Sequence, residues 1–291
     1  NRIFIEIYGL EDELTPEVSD KDITITKIFD TKEAIYDDIK GNRYILTKED
    51  VIKSFISYAV GCIFGRYSLD IEGLAYAGGK WDNSKYSSFM PTKNHIVIIT
   101  DEEYFKDDIT NRFMNFVKVC YGEDTLEENL KFIADALGGK GTSKEVIRNY
   151  FFKDFYRDHI KTYQKRPIYW LYDSGRQNGF KALIYMHGYN QDITGKVRID
   201  YLHKMQKAYE RTIDNLKDNI LHNKNAREVA ASEKHLAKVT KQLKECKDYD
   251  EKIAHLALAR IPIDLDDGVK VNYNKIQTDK DGNNLKILAR I

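Results

Sequence analysis

The sequence predicts an α+β fold, predominantly α-helical, in which small antiparallel β-hairpins accompany one long antiparallel helical hairpin. Three observations lead there. From Leu202 to Ile253 apolar residues recur every three or four positions in two long seams, the spacing of helix faces. From Arg166 to Tyr189 the stretch RPIYWLYDSGRQNGFKALIYMHGY places two aromatic-rich runs on either side of a polar loop with Ser-Gly and Asn-Gly turn signals. Proline is scarce, 4 in 291 residues, which leaves long helices uninterrupted.

Taken in order, IFIEIY (3–8) reads as a short strand or the end of a helix, and GLEDELTPEVSDKDITI as loop, broken by Gly9 and Pro16. Thr47 starts a helix, with Asp50 completing a near capping box. Val51, Phe55, Tyr58, Ala59 and Cys62 mark its apolar face, and it should fade near Gly61 or Gly65. A glycine-rich excursion follows, then the buried strand HIVIIT (95–100). Asp101 is placed to cap the next helix, which carries Tyr104, Phe105, Ile109, Phe113, Phe116 and Val117. Another helix runs from Thr125 to Leu137 and stops at Gly138–Gly139. Thr142 or Ser143 begins the next, with Val146, Ile147, Tyr150, Phe151, Phe155 and Ile160 on one stripe.

In the aromatic stretch, Pro167–Tyr172 and Phe180–Met186 read as the two strands of an antiparallel hairpin. The two seams follow. Leu202, Met205, Tyr209, Ile213, Leu216 and Ile220 form one; Val229, Leu236, Val239, Leu243, Cys246 and Ile253 form the other, across the turn HNKNAR. The tail from Ile261 returns to strand-and-turn character.

Charge divides the chain. Net charge is zero, yet residues 1–140 hold 17 Lys and Arg against 26 Asp and Glu, and residues 141–291 hold 29 against 20. The sequence is therefore read as an acidic helical and loop-rich subdomain over 1–140 and a basic one over 141–291. The latter comprises the β-hairpin (166–189), the helical hairpin (193–260) and C-terminal strands (261–291). Two explanations stand side by side: a chance split of solvated charges, or a basic face for a polyanion. Three scattered cysteines, Cys62, Cys120 and Cys246, without a CxxC, point to a reducing, cytoplasmic setting. No apolar run approaches the roughly 20 residues of a membrane span, so no membrane partner is expected. The opening NRIFIEIYGL has neither an initiator Met nor a signal-peptide pattern, as expected of a piece of a longer protein.

Chemistry-bearing motifs are weak. GLAYAGGKW (73–81) approaches a phosphate loop but misses its spacing and lacks the hydroxyl after Lys80. LGGKGTS (137–143) can hold a phosphate at a helix start, or simply end one helix and cap another. TDKDGNN (278–284) mimics a calcium loop without the closing Glu and reads as a turn. The histidines fall in no metal-ligand spacing, and no metal or catalytic site is assigned.

Several phrases resemble a known family. NRIFIEIYGLEDELTPEV (1–18), SYAVGCIFGRYSLDIEGLAYAGG (57–79), VIRNYFFKDFYRDHIKTYQKRPIYWLYDSGRQNGFKALIYMHGY (146–189) and LARIPIDLDDGVKVNYNKIQ (258–277) are similar, in order, to the C-terminal part of PglX-type proteins. These are adenine-specific DNA methyltransferases of BREX phage-defence systems, related to single-chain restriction-modification enzymes. That family's catalytic signature is an Asn-Pro-Pro-aromatic motif after a glycine-rich S-adenosylmethionine loop. Pro16, Pro91, Pro167 and Pro262 are never adjacent, so the motif is absent here. The resemblance implies that S-adenosylmethionine serves a catalytic domain upstream of Asn1, and that this segment carries neither cofactor nor catalytic residue.

The expected function is a DNA-recognition or DNA-clamping module of such an enzyme, with double-stranded DNA as partner. Arg166, Arg176, Lys181, Lys196, Arg198 and Lys204 are the candidate contacts, Arg for guanine edges and Lys for phosphates. The alternative is a protein-interaction scaffold that docks other defence-system proteins. Asp250 within the second seam and the many tyrosines suit that reading equally.

Overall fold

The computed structural model describes residues 1–22 and 24–291; Ile23, inside the stretch read as loop, lies outside the described residues. A small antiparallel sheet lies between two helical layers. Its strands are β3 (Ile96–Ile99), β4 (Tyr169–Asp173) and β5 (Lys181–Tyr185), in the order β3-β5-β4. The aromatic stretch is thus the hairpin expected, in register Trp170↔Ile184 and Tyr172↔Ala182. β3 pairs on its far side, Ile96 opposite Ile184. The sheet takes one strand from before residue 140 and two from after it.

Alternation in the strands explains the layers. Val97, Ile99, Tyr169, Leu171, Leu183 and Tyr185 face one core, and Ile96, Ile98, Trp170, Tyr172, Ala182 and Ile184 face the other. The first core is covered by α2 (Lys48–Phe64), α3 (Ile109–Tyr121), α4 (Leu126–Leu137), α5 (Ser143–Lys153) and α6 (Phe155–Thr162). The second is covered by α8 (His203–His222) and α9 (Ala226–Ala259), through Met205, Tyr209, Val239, Cys246, Tyr249 and Ile253. The short α7 (Ile193–Lys196) and a π-helical stretch, Val197–Leu202, lead into α8.

Local signals set the boundaries. Thr47 and Asp50 form a reciprocal capping box, and Gly65 ends α2 in the left-handed region at φ 77°. The buried stripe of α2 is Ile52, Ile56, Ala59 and Ile63, so the face expected at Val51, Phe55 and Tyr58 is its rim. Gly138 closes α4, and Thr142 with Glu145 caps α5. The stripe expected to run unbroken from Val146 to Ile160 is split at Asp154 into α5 and α6.

Other expectations need correction. Asp101 caps nothing: α3 starts at Ile109 under Asp108, and Asp101 instead meets Lys238 on α9 at 2.7 Å. The tail expected as strands holds α10 (Val269–Lys275) and isolated bridges, Tyr172↔Leu288 and Thr278↔Asn284. Buried Asn272 fixes that helix by donating to the Gly268 and Asp264 carbonyls. At the other end, IFIEIY is helical in α1 (Arg2–Tyr8), which buries no residue. Beyond it, β1 (Lys27–Phe29) and β2 (Ile45–Thr47) pair in parallel.

Candidate nucleic-acid interface

α9 lies directly across the tip of the β4–β5 hairpin. Gly179 permits the approach, since a Cβ there would sit 2.5 Å from the Gln242 carbonyl oxygen. Glu245, one turn on, gathers the loop: it accepts the Ser174 hydroxyl at 2.7 Å and the Gln177 and Gly179 amides at 2.7 and 3.0 Å. Tyr209 of α8 donates to the Gly179 carbonyl at 2.9 Å. The loop is an anchored joint between sheet and helical hairpin.

The six candidate contacts fall into different environments. Arg166 and Arg176 are exposed at opposite ends of β4, and Lys204 is exposed on α8. Lys196 is half-buried. Lys181 points inward, donating to the Phe152 carbonyl at 3.1 Å over that residue's ring. Burial lowers its pKa against the pull of Asp173. Arg198 is held by Asp250 through two hydrogen bonds, 2.8 and 3.1 Å, and His203 joins the same carboxylate at 2.9 Å. Burial raises the Asp250 carboxyl, but these partners outweigh it and hold its pKa below the usual carboxylate value. Asp250 in the apolar seam therefore has an internal role. Lys181 and Arg198 thus already have partners within the fold, whereas Arg166, Arg176 and Lys204 are exposed.

A run of exposed cations also lies on the α5–α6 side of the sheet. Lys153, Arg157, Lys161 and Lys165 stand four residues apart along α5–α6 and its exit, all exposed, with exposed Arg166 beside them. Arg157 and Lys161 lie just over one turn apart on α6 and so share its outer face, while Lys153 ends α5 and Lys165 follows the end of α6. Phe155, Tyr156 and His159 occupy the opposite, buried face. Gln164 and Lys165, at φ 48° and 61°, turn the chain into β4 and keep the Lys165 amide bonded to Ile160. Arg157 meets Asp154 at 2.8 Å in a solvent-exposed pair, which neutralises little. Among the described residues no carboxylate pairs with Lys153, Lys161, Lys165 or Arg166. Of this ridge the sequence singles out only Arg166. The signal, a cation at every fourth position in KDFYRDHIKTYQK, is present but overshadowed by the apolar stripe of the same helices.

The weak motifs resolve into local structure. LGGKGTS ends α4 and caps α5. In TDKDGNN, Asp279 accepts amides from Asp281 and Asn283 and so closes a turn.

No protein-family model matches the chain. It is 47% identical over 283 residues to "Adenine-specific methyltransferase PglX" of Lacticaseibacillus casei (strain Zhang), a match covering 96% of this chain and 22% of that protein. It is 38% identical over 289 residues to "Adenine-specific methyltransferase BrxX" of Escherichia coli O9:H4 (strain HS), covering 94% of this chain and 24% of that one. The chain thus spans less than a quarter of the curated relatives it matches, and along nearly its whole length it is homologous to one segment of the PglX-type adenine-specific methyltransferases.

Proposed function

We propose that this chain is a DNA-gripping module of a PglX-type methyltransferase in a phage-defence system, contributing to target recognition while methyl transfer occurs elsewhere in the parent protein. S-adenosylmethionine is then the parent's cofactor and the cytoplasm its setting. The relatives' names supply the enzyme class. The observation that carries the reading is the ridge Lys153–Arg157–Lys161–Lys165. Exposed cations recurring every fourth residue along α5, α6 and the exit from α6 can meet several phosphates at once, each contact releasing condensed counterions. The charge division at residue 140 agrees with it. Titrating the chain with a 20-base-pair duplex across a fourfold range of salt tests the reading. With four phosphate contacts, affinity should fall by roughly two orders of magnitude. Absence of binding at low salt would overturn it.

One feature favours a second reading, a scaffold for other defence-system proteins or for the parent's own domains. Ile3, Phe4, Ile7 and Tyr8 of α1 are each at least 66% exposed, and Ile25 and Tyr36 are also bare. Clustered exposed apolar residues suit a protein surface. A salt-insensitive complex with such a partner, in place of DNA binding, would support it. No helix among the described residues is long and apolar enough to cross a membrane.

A further inference from the structure

We propose that the loop 174–180, at the tip of the β4–β5 hairpin, reads base edges of DNA: Arg176 a guanine and Gln177 an adenine. This assignment rests on the DNA-gripping reading and adds sequence recognition to it. Phosphate contacts position a protein on a duplex, and base-edge contacts specify the site.

The loop is longer and better held than a connection requires. Hairpin strands are commonly joined by about two to five residues, and here seven separate Asp173 from Lys181. Their backbone is turned inward. The Ser174 amide donates to the Phe180 carbonyl and the Asn178 amide to the Gly175 carbonyl, each at 3.0 Å. The Gly175 amide donates to the Asp173 carboxylate at 2.9 Å. Glu245 takes the Gln177 and Gly179 amides, and the Gln242 side chain donates to the Asn178 carbonyl at 3.4 Å. Gly175, at φ 131°, and Asn178, at φ 54°, turn the chain. What this leaves facing solvent is side chain. Arg176 and Gln177 are exposed, and among the described residues neither side chain takes a hydrogen bond or an ion pair.

These two side chains are of the types that read the major groove. Arg reaches the O6 and N7 of guanine with two N–H groups, and Gln pairs with the N6 and N7 of adenine. Discrimination is greatest when such side chains start from a fixed backbone, because no loop has to be ordered on binding. The bonds to α8 and α9 fix it. Position agrees with the assignment. Lys181, in register with Asp173 at the last rung before the loop, donates to the Phe152 carbonyl at 3.1 Å. Lys153, the first cation of the ridge, is the next residue in the chain. The base-reading loop therefore adjoins one end of the phosphate-gripping ridge.

The test selects bound sequences from a randomised duplex library with the full-length parent protein. Wild type is compared with Arg176→Ala, Arg176→Lys, Gln177→Ala and the ridge triple Lys153→Glu, Lys161→Glu and Lys165→Glu. The selected duplex is then titrated against its single-base variants. Urea denaturation checks folding, which the loop substitutions should leave unchanged because both side chains are without partners.

Arg176→Ala should lose about tenfold of the preference for guanine at one position, and Arg176→Lys should not restore it, since an ammonium lacks the fork. Gln177→Ala should lose a comparable preference for adenine at another position. The ridge triple should weaken all sequences alike and leave the motif intact. A motif unchanged in all three loop variants overturns the assignment, whatever the ridge does. So does a uniform weakening in Arg176→Ala that Arg176→Lys reverses, which would make Arg176 a phosphate contact. A motif altered by the loop variants and a ridge triple without effect would keep the loop and remove the ridge. No binding by wild type overturns both.

Discussion

Ser174 and Glu245 are 71 residues apart in the chain and 2.7 Å apart in space. The Ser174 hydroxyl donates to the carboxylate and also accepts the Phe180 amide at 2.8 Å, so one side chain bridges the hairpin loop and α9. The parts are unequal. Ser174→Ala removes a neutral hydroxyl and should cost about 1 kcal/mol in chemical denaturation. Glu245→Ala strips three donors of their shared acceptor and should cost about 2–3 kcal/mol. Equal costs would mean that the loop is held by something else.

The ridge gives a contrast of charge. Lys153→Glu, Lys161→Glu and Lys165→Glu together should weaken duplex binding whatever its sequence, and should flatten the salt slope by about 0.9 for each phosphate left without its cation. The matched triple Lys21→Glu, Lys80→Glu and Lys93→Glu, also at exposed positions, should change the slope little. Fluorescence anisotropy across a salt series measures both. An equal weakening by the two triples would detach binding from the ridge.

Acid should destabilise the fold before any carboxylate of lowered pKa titrates. His159 is held neutral by burial, with its pKa at about 3, while an unfolded histidine titrates near 6.5. Below 6.5 the unfolded chain takes up a proton that the folded chain refuses, so stability is full above that value and falls as pH drops toward 3. Burial moves His95 and His187 in the same direction. From pH 7 to pH 5, His159 alone should remove about 2 kcal/mol. His159→Gln, which keeps an acceptor for the Tyr169 amide, should flatten that part of the dependence in urea denaturation.

Arg148 and Asp108 form a pair with side chains 8% and 0% exposed. The carboxylate also accepts the Thr100 hydroxyl and caps α3 through the Asn111 amide at 2.8 Å. Arg148→Met should cost about 3–5 kcal/mol, because it strands a buried charge. Adding Asp108→Asn should cost less than the two single substitutions combined, and a double-mutant cycle by denaturation measures that coupling.

What the sequence made legible was mostly local. Thr47 with Asp50, Gly138 and the two seams of α8 and α9 act within a few turns of chain, so their spacing alone placed helix ends and the helical hairpin. The β4–β5 hairpin was legible for the same reason. The pairing of β3 with β5 was not, because nothing in HIVIIT specifies a partner some 85 residues away. Asp101 looked like a cap because a strand ends just before it, but its carboxylate is taken by Lys238. VKVNYNK has the alternation of a strand but is helical, with the Asn272 side chain tying the helix to the Gly268 carbonyl at its start and to the Asp264 carbonyl of the preceding segment. Among the candidate contacts, Arg198 already pairs with Asp250 and Lys181 lies over Phe152, differences that residue type alone does not carry. Free cations and engaged ones look alike until their neighbours are known.

The central strand has one further consequence. β5 has a hydrogen-bonded neighbour on each side and a core on each face, so Ala182, Leu183, Ile184 and Tyr185 are completely buried. No local opening can bring water to its amides without parting one of the two helical layers from the sheet. Those amides should therefore exchange hydrogen with solvent only through global unfolding, with one shared opening free energy. α1, with no buried residue, should exchange as freely as a peptide. The slowest clock in the molecule then lies in the stretch that stitches its two cores into one cooperative unit.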